Sequence, residues 1–344
     1  MELLSYKDLK QKVWDTDKCC GCGACVGVCP TEALYFDEEA DRPTSNDYCK
    51  VTRDSIPCAA CYFACPRVEE TCSDGFGEIK SIFEAKSKAP VSGAQSGGVV
   101  SSVLAAAFDS NLIDGAIVMG LDKWSQSPQP IYVQTPDAAV KAAGSKYVWA
   151  PILTALRDAI EDRKLKHIAV VGTPCVVTAV KRIRESDVDV LSIYKNAIRF
   201  SLGLFCTEIF TNNLLEDLRT THGVKPWEIS GFDVKGVLIV KLRSDGALEL
   251  PLKDARAARR DGCAHCIDFT SEDADLSFGS VGASPGHTVV IVRTDVGEGV
   301  LTLAQNTGFI DLKSGVDITA IAKIGGKKKD IPLENAKTIL AEHV

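Results

Sequence analysis

Two runs of cysteine dominate the first seventy residues: Cys19-x-x-Cys22-x-x-Cys25-x-x-x-Cys29-Pro30, then Cys58-x-x-Cys61-x-x-x-Cys65-Pro66. So short a segment buries too little apolar surface to fold on a core alone, so whatever these thiols hold must organise it. The chain carries 14 cysteines among 344 residues. Residues 1–14 are mixed and polar, without the apolar centre of a signal peptide, and no run reaches the ~18 apolar residues of a membrane span. The expectation is a cytoplasmic protein, where thiols stay reduced and read as metal ligands before disulfides. A net charge of −7 argues against a nucleic-acid partner.

The spacing matches that of bacterial two-cluster ferredoxins, in which the fourth cysteine of each motif ligates the other [4Fe–4S] cluster. On that pattern the first cluster takes Cys19, Cys22, Cys25 and Cys65. The second takes Cys29, Cys58 and Cys61 and needs one more ligand. Position 55, where it is expected, is Ser55, and Cys49, six residues earlier in a polar loop, is assigned instead. A zinc knot, a three-iron cluster and a serine ligand are the alternatives. Pro30 and Pro66, with fixed φ and no N–H, set the direction in which the chain leaves each motif.

Four further cysteines lie far apart: Cys175, Cys206, Cys263 and Cys266. Cys175 follows Gly172-Thr173-Pro174 at the end of one expected strand, and Cys206 ends another. Carboxyl ends of neighbouring strands in an α/β sheet gather at one edge, where ligands bind. Four thiolates meeting there would hold a third cubane or a tetrahedral zinc, and the residues alone do not choose. Cys20 and Cys72 are then left over as simple thiols, with Cys72 the spare candidate should Cys49 not be a ligand, and His265, between two expected ligands, reads as an exposed or outer histidine.

The expected organisation is α+β: a ferredoxin-like unit at 1–75, a connector at 76–92 with one strand near Ile79–Ala85, a larger α/β domain at 93–325 and a tail at 326–344. Strands at Ala116–Met119, His167–Val171 and Ile198–Phe205 alternate with helices at Val99–Phe108, Val176–Arg184 and Asn212–Arg219. Residues 229–250 read as short strands joined by turns. Lys327–Asp330 reads as a solvated loop and Pro332–Glu342 as a terminal helix that could dock a partner. The loop Gly93-Ala94-Gln95-Ser96-Gly97-Gly98 runs into a helix, whose N-terminal amides suit an anion such as a pyrophosphate. Gly144-Ser145-Lys146-Tyr147 and Gly279-Ser280-Val281-Gly282 are smaller turns of related character. No Ser/His/Asp pattern, H-E-x-x-H or Walker loop suggests hydrolysis or phosphoryl transfer.

Taken in order, the ferredoxin motifs, Gly93–Gly98, Gly172-Thr173-Pro174-Cys175, Phe205-Cys206-Thr207, Gly262–Phe269 and Asp275–Gly282 resemble the family built on the beta subunit of coenzyme F420-reducing hydrogenase. The resemblance covers residues 15–295 and is nearest to the input subunit of F420H2 dehydrogenase. It implies an FAD-binding α/β domain with its own [4Fe–4S] cluster at Cys175, Cys206, Cys263 and Cys266, three clusters in all. It also implies flavin contacts from Gly93, Gln95, Ser96, Gly97, Gly98, Ser145, Lys146, Gly279, Ser280 and Gly282. The implied reaction takes hydride from reduced coenzyme F420 onto N5 of FAD, with no catalytic side chain, and passes single electrons to a partner. That partner is a larger membrane-associated complex, reached through other subunits at the cytoplasmic face, or a ferredoxin. Lys146 and the Arg256, Arg259 and Arg260 cluster would meet the coenzyme's acidic tail. The rival expectations are the reverse direction, a different substrate as in the chlorophyll-reductase branch, and a flavin-free electron carrier or zinc protein.

Overall fold

The computed structural model describes residues 3–37, 40–69 and 75–344. Its strands are β1 (Leu34–Phe36), β2 (Pro43–Ser45), β3 (Ser81–Ser87), β4 (Gly115–Leu121), β5 (Pro128–Val133), β6 (Ile168–Gly172), β7 (Ile198–Leu204), β8 (Ile229–Val234), β9 (Val237–Leu242), β10 (Ala247–Pro251), β11 (Leu276–Gly279), β12 (Thr288–Val292) and β13 (Ile310–Lys313). Eight of them form one sheet in the order β13-β3-β12-β11-β7-β6-β4-β5. The four central strands β11, β7, β6 and β4 run parallel, and the flanking pairs are antiparallel. Strands β8–β10 form a separate antiparallel meander, and β1 pairs with β2 in the N-terminal unit.

The period-2 alternation along the central strands explains the layers. Ile117, Ile168 and Val170 face one core, which holds the helix Pro174–Glu185 and, from the N-terminal unit, Cys20, Cys22, Ala24, Val28, Ala60 and Ala64. Ala116, Val118, Ala169, Val171, Phe200 and Leu202 face the other, under the helices Val99–Asp109 and Asp295–Asn306. The ferredoxin-like unit therefore shares a core with the larger domain.

Three expectations on organisation need correcting. The strand expected near Ile79–Ala85 is present as β3, but it is no connector: it lies inside the sheet between β13 and β12, where Ile82 and Ala85 are buried. The expected solvated loop at Lys327–Asp330 is the last turn of the helix Ile318–Lys329. Ile321, Ala322, Gly325 and Gly326 recur on one face of that helix, and Lys329 follows at the same period, its side chain buried against Glu272 at 2.8 Å. The terminal helix, Leu333–Ala341, packs on its own domain: Ala336 and Leu340 are fully buried with Phe76, Ile79 and Ile82. Its apolar face is thus already covered. Leu340→Ala should lower the unfolding free energy by about 3 kcal/mol, read from the urea midpoint at unchanged m. A loss below ~1 kcal/mol would mean that this helix is only loosely seated.

Candidate redox centre

The thiol loops shape the site from the backbone upward. Each Cys-x-x-Cys turn aims amide N–H groups at sulfur: Gly21 N–H at Cys19, Ala24 at Cys22, Ala60 at Cys58 and Arg67 at Cys65. Ala33 N lies 3.3 Å from Cys29 Sγ. Such donors favour the thiolate. Burial works the other way: it pushes Cys65 up to about 12 and raises Cys25 and Cys61 well above the ordinary thiol range. Without a cationic body among them these thiols hold their protons, and binding one must release them.

With amides turned inward, the loop carbonyls turn outward, and the larger domain satisfies them. Trp149 Nε1 donates to Gly21 O at 2.9 Å, Leu153 N to Cys22 O at 2.9 Å and Tyr194 Oη to Gly27 O at 3.0 Å. Arg157 donates to Cys29 O, and Arg260 to Asp41 O at 2.6 Å and to Cys19 O at 3.4 Å. The approach is close enough to require glycine: a Cβ on Gly262 would sit 2.3 Å from Cys19 O, and one on Gly27 2.1 Å from Leu153 O.

The expected ligands gather in three places. Cys19, Cys22 and Cys25 each lie beside Cys65. Cys29, Cys49, Cys58 and Cys61 line one cavity with Tyr6, Pro30 and Leu34. Cys49 is at the N-cap of the helix Lys50–Asp54 and faces that cavity, whereas Ser55, in left-handed conformation at the other end, is exposed and outside it. Cys175, Cys206, Cys263 and Cys266 interact with one another at the carboxyl ends of β6 and β7. Thr173 Oγ1 lies 3.3 Å from Cys175 Sγ, and Lys328 Nζ lies 3.4 Å from Cys266 Sγ. Among the described residues no three His, Cys, Asp or Glu side chains converge on a single ion. The all-sulfur donor sets fit iron–sulfur clusters in all three places.

The glycine loops also meet at this edge of the sheet. Ser96 Oγ lies 3.0 Å from Thr288 Oγ1 at the start of β12, and Gln95 Nε2 lies 3.2 Å from Asp233 Oδ1 beyond the loop. Gly98, at φ 73°, caps Val99–Asp109, and no side chain satisfies that helix's first turn. The turn at Gly144 adjoins Gly93, whose carbonyl would lie 2.5 Å from a Cβ at 144. The uncapped amides and the two abutting loops fit a flavin's pyrophosphate. In the third turn, Gly279 faces Phe205 and Gly282 faces Ile321, so packing occupies both, and only Ser280 is exposed.

The basic residues expected at an acidic tail are otherwise engaged. Lys146 donates back to Ala142 O and Ala143 O, and burial lowers it to about 8. Arg256 lies 2.9 Å and Arg259 3.7 Å from Glu208. Arg260 is fully buried with its guanidinium 4.0 Å from the Trp149 ring centroid. His265 is exposed, and its carbonyl accepts from Arg67 Nη1 at 3.2 Å. Cys72 lies outside the described residues.

Comparison with known proteins decides the family. Residues 82–157 and 165–317 match the N-terminal and C-terminal models of the coenzyme F420 hydrogenase/dehydrogenase beta subunit, and residues 12–35 match a 4Fe-4S binding domain. An F(420)H(2) dehydrogenase subunit of Methanosarcina mazei is 31% identical over 88% of this chain and 87% of its own. The chain belongs to the family of coenzyme F420 hydrogenase/dehydrogenase beta subunits. An uncharacterized protein of Methanocaldococcus jannaschii is 41% identical, over 94% of this chain and 97% of its own. A chain of the F420-reducing [NiFe] hydrogenase complex of Methanosarcina barkeri has the same fold, with TM-score 0.69 and 27% identity over 78% of this chain and 94% of that one.

Sequence reasoning missed three residues of this beta-subunit centre. Cys20 contacts both Cys22 and Cys175. Arg67 reaches Cys266, and Lys328 donates to the same sulfur. The helical period before Lys328 was the one available signal; the other two depend on contacts distant in sequence.

Two substitutions test the second thiol set. Cys49→Ala should remove about four irons per chain, and Ser55→Ala none, in anaerobic preparations assayed for metal. The reverse pattern would transfer the ligand to Ser55. Reconstitution of iron-free protein should be more complete at about pH 9 than at about pH 7, because thiols raised by burial give up protons to bind; equal uptake would contradict the burial argument.

Proposed function

We propose that this chain is an electron-input subunit that oxidises reduced coenzyme F420, with FAD as hydride acceptor and three [4Fe–4S] clusters leading to a partner. When bound, FAD takes a hydride at N5 and releases electrons singly, and the clusters carry them one at a time.

One observation carries the reading. Cys20 touches Cys22 on one side and Cys175 on the other, so the thiols at the sheet edge abut the first N-terminal set. Cys25 in turn interacts with Cys61 of the second set. The series runs unbroken from the edge that carries the glycine loops to the outer surface. The chain's residues serve it by position. Gly93–Gly98 and Gly144–Tyr147 form the floor for a dinucleotide, with Ser280 at the rim. Lys146 keeps its ammonium turned to backbone carbonyls and stiffens the loop instead of meeting the coenzyme. Cys19, Cys22, Cys25 and Cys65 are buried, which excludes water from the middle of the path.

The second set is the least covered: Cys49, Cys58 and Cys61 are half-buried, and Tyr48, Ile56 and Phe63 around them are exposed. A partner complex or ferredoxin docks on that face in this reading. No helix among the described residues is long and apolar enough to cross a membrane.

An anaerobic preparation mixed with reduced coenzyme F420 and an artificial acceptor tests the proposal. About twelve irons, one FAD and loss of the reduced coenzyme are expected. About eight irons without flavin would overturn it. Preferential reduction of oxidised coenzyme by a low-potential donor would reverse the assigned direction.

A further inference from the structure

We infer that Arg67 and Lys328 form a cationic clamp that raises the reduction potential of the cluster held by Cys175, Cys206, Cys263 and Cys266. The inference rests on the third-cluster reading above.

The two cations come from opposite ends of the chain. Arg67 lies in the N-terminal thiol unit just after its second motif, and its own amide donates to Cys65 Sγ. Its side chain leaves that unit, passes Cys20 and Cys175, and reaches Cys266. Nη1 donates to His265 O at 3.2 Å, and the buried Nε has no hydrogen-bond partner. A guanidinium at this depth, always charged and incompletely paired, needs an anion close by. Lys328 comes from the last turn of Ile318–Lys329. Its Nζ donates to Cys206 O at 2.9 Å, to Asp268 O at 2.7 Å and to Cys266 Sγ at 3.4 Å. Both cations therefore meet at Cys266.

The neighbouring charges do not cancel the clamp. Glu272 pairs with Lys329 at 2.8 Å. The Asp268 carboxylate accepts from the amides of Ser271 and Glu272, and Arg293, Lys328 and Lys329 all act on it, so three cations share one carboxylate and Lys328 keeps its bond to Cys266. Four thiolates and a cluster gain a further negative charge on reduction, and buried positive charge favours the reduced form. The cluster beside the glycine loops thus becomes the electron sink next to the flavin. Arg67 also ties that potential to seating of the thiol unit, since the residue belongs to it.

The test is an EPR-monitored redox titration of the anaerobic holoprotein, with iron assayed alongside. Arg67→Gln and Lys328→Gln should each keep full iron and weaken one-electron reduction of the third cluster about tenfold, a shift of about 59 mV to more negative potential. Lys328→Gln should leave the other two clusters unmoved. Lys328→Arg and Arg67→Lys should restore most of the shift, and the exposed Lys327→Gln should cause none. Unmoved potential in both Gln variants at full iron would overturn the inference and leave the function reading intact. Loss of the third cluster from both variants would also overturn it, since the cations would then be holding the cluster. Absence of a third cluster from the wild-type protein would overturn both readings.

Discussion

The arrangement depends on one constraint: a thiol loop that turns its amides toward sulfur leaves its carbonyls facing out, and buried carbonyls must be paired. Here the donors belong to the other domain. Trp149, Leu153, Tyr194, Arg157 and Arg260 hydrogen-bond the carbonyls of the first motif from residue 19 to residue 29. Gly27 and Gly262 let the backbones approach closely enough for this. The thiol unit is thereby locked to the sheet instead of tethered to it, and the first and third thiol sets are held side by side.

That lock decides what the sheet edge can do. β6 and β7 deliver Cys175 and Cys206 to their carboxyl ends, as parallel strands with crossover helices do. The long excursion between β7 and β11 returns Cys263 and Cys266 to the same place. The helix Val99–Asp109 starts at this edge with its first turn uncapped, so a glycine-rich loop and a thiol set share one rim. The last turn of Ile318–Lys329 closes the rim from the other side, which explains why a triple lysine ends a packed helix.

Much of the fold was legible in the chain. Unbroken apolar runs mark β4, β6 and β12, alternation marks β7, and Gly172-Thr173-Pro174 marks the turn into Pro174–Glu185. The meander at 229–251 follows from its turns. Other elements were hidden. β5 carries prolines at 128 and 130, which disguise a strand that tolerates them because it lies at the sheet edge. β3 was legible as a strand but not as an interior one, because Glu84, buried against Ser284 and Lys313, and the exposed Lys86 read in the sequence as solvated positions. The lysine run looked solvated because composition says nothing of which lysine faces inward; only the period from Ile321 onward does.

The sequence by itself determined the thiol sets within each motif, the strand–helix alternation and the family, because all three are written in local spacing. Tertiary structure alone decided that Cys49 and not Ser55 faces the second cavity, since the helix between them turns one end inward and the other out. It also decided that Cys20 joins two thiol sets and that Arg67 and Lys328 meet at Cys266. These last are contacts between residues far apart in the chain, and only the burial of loop carbonyls against a foreign surface brings them together.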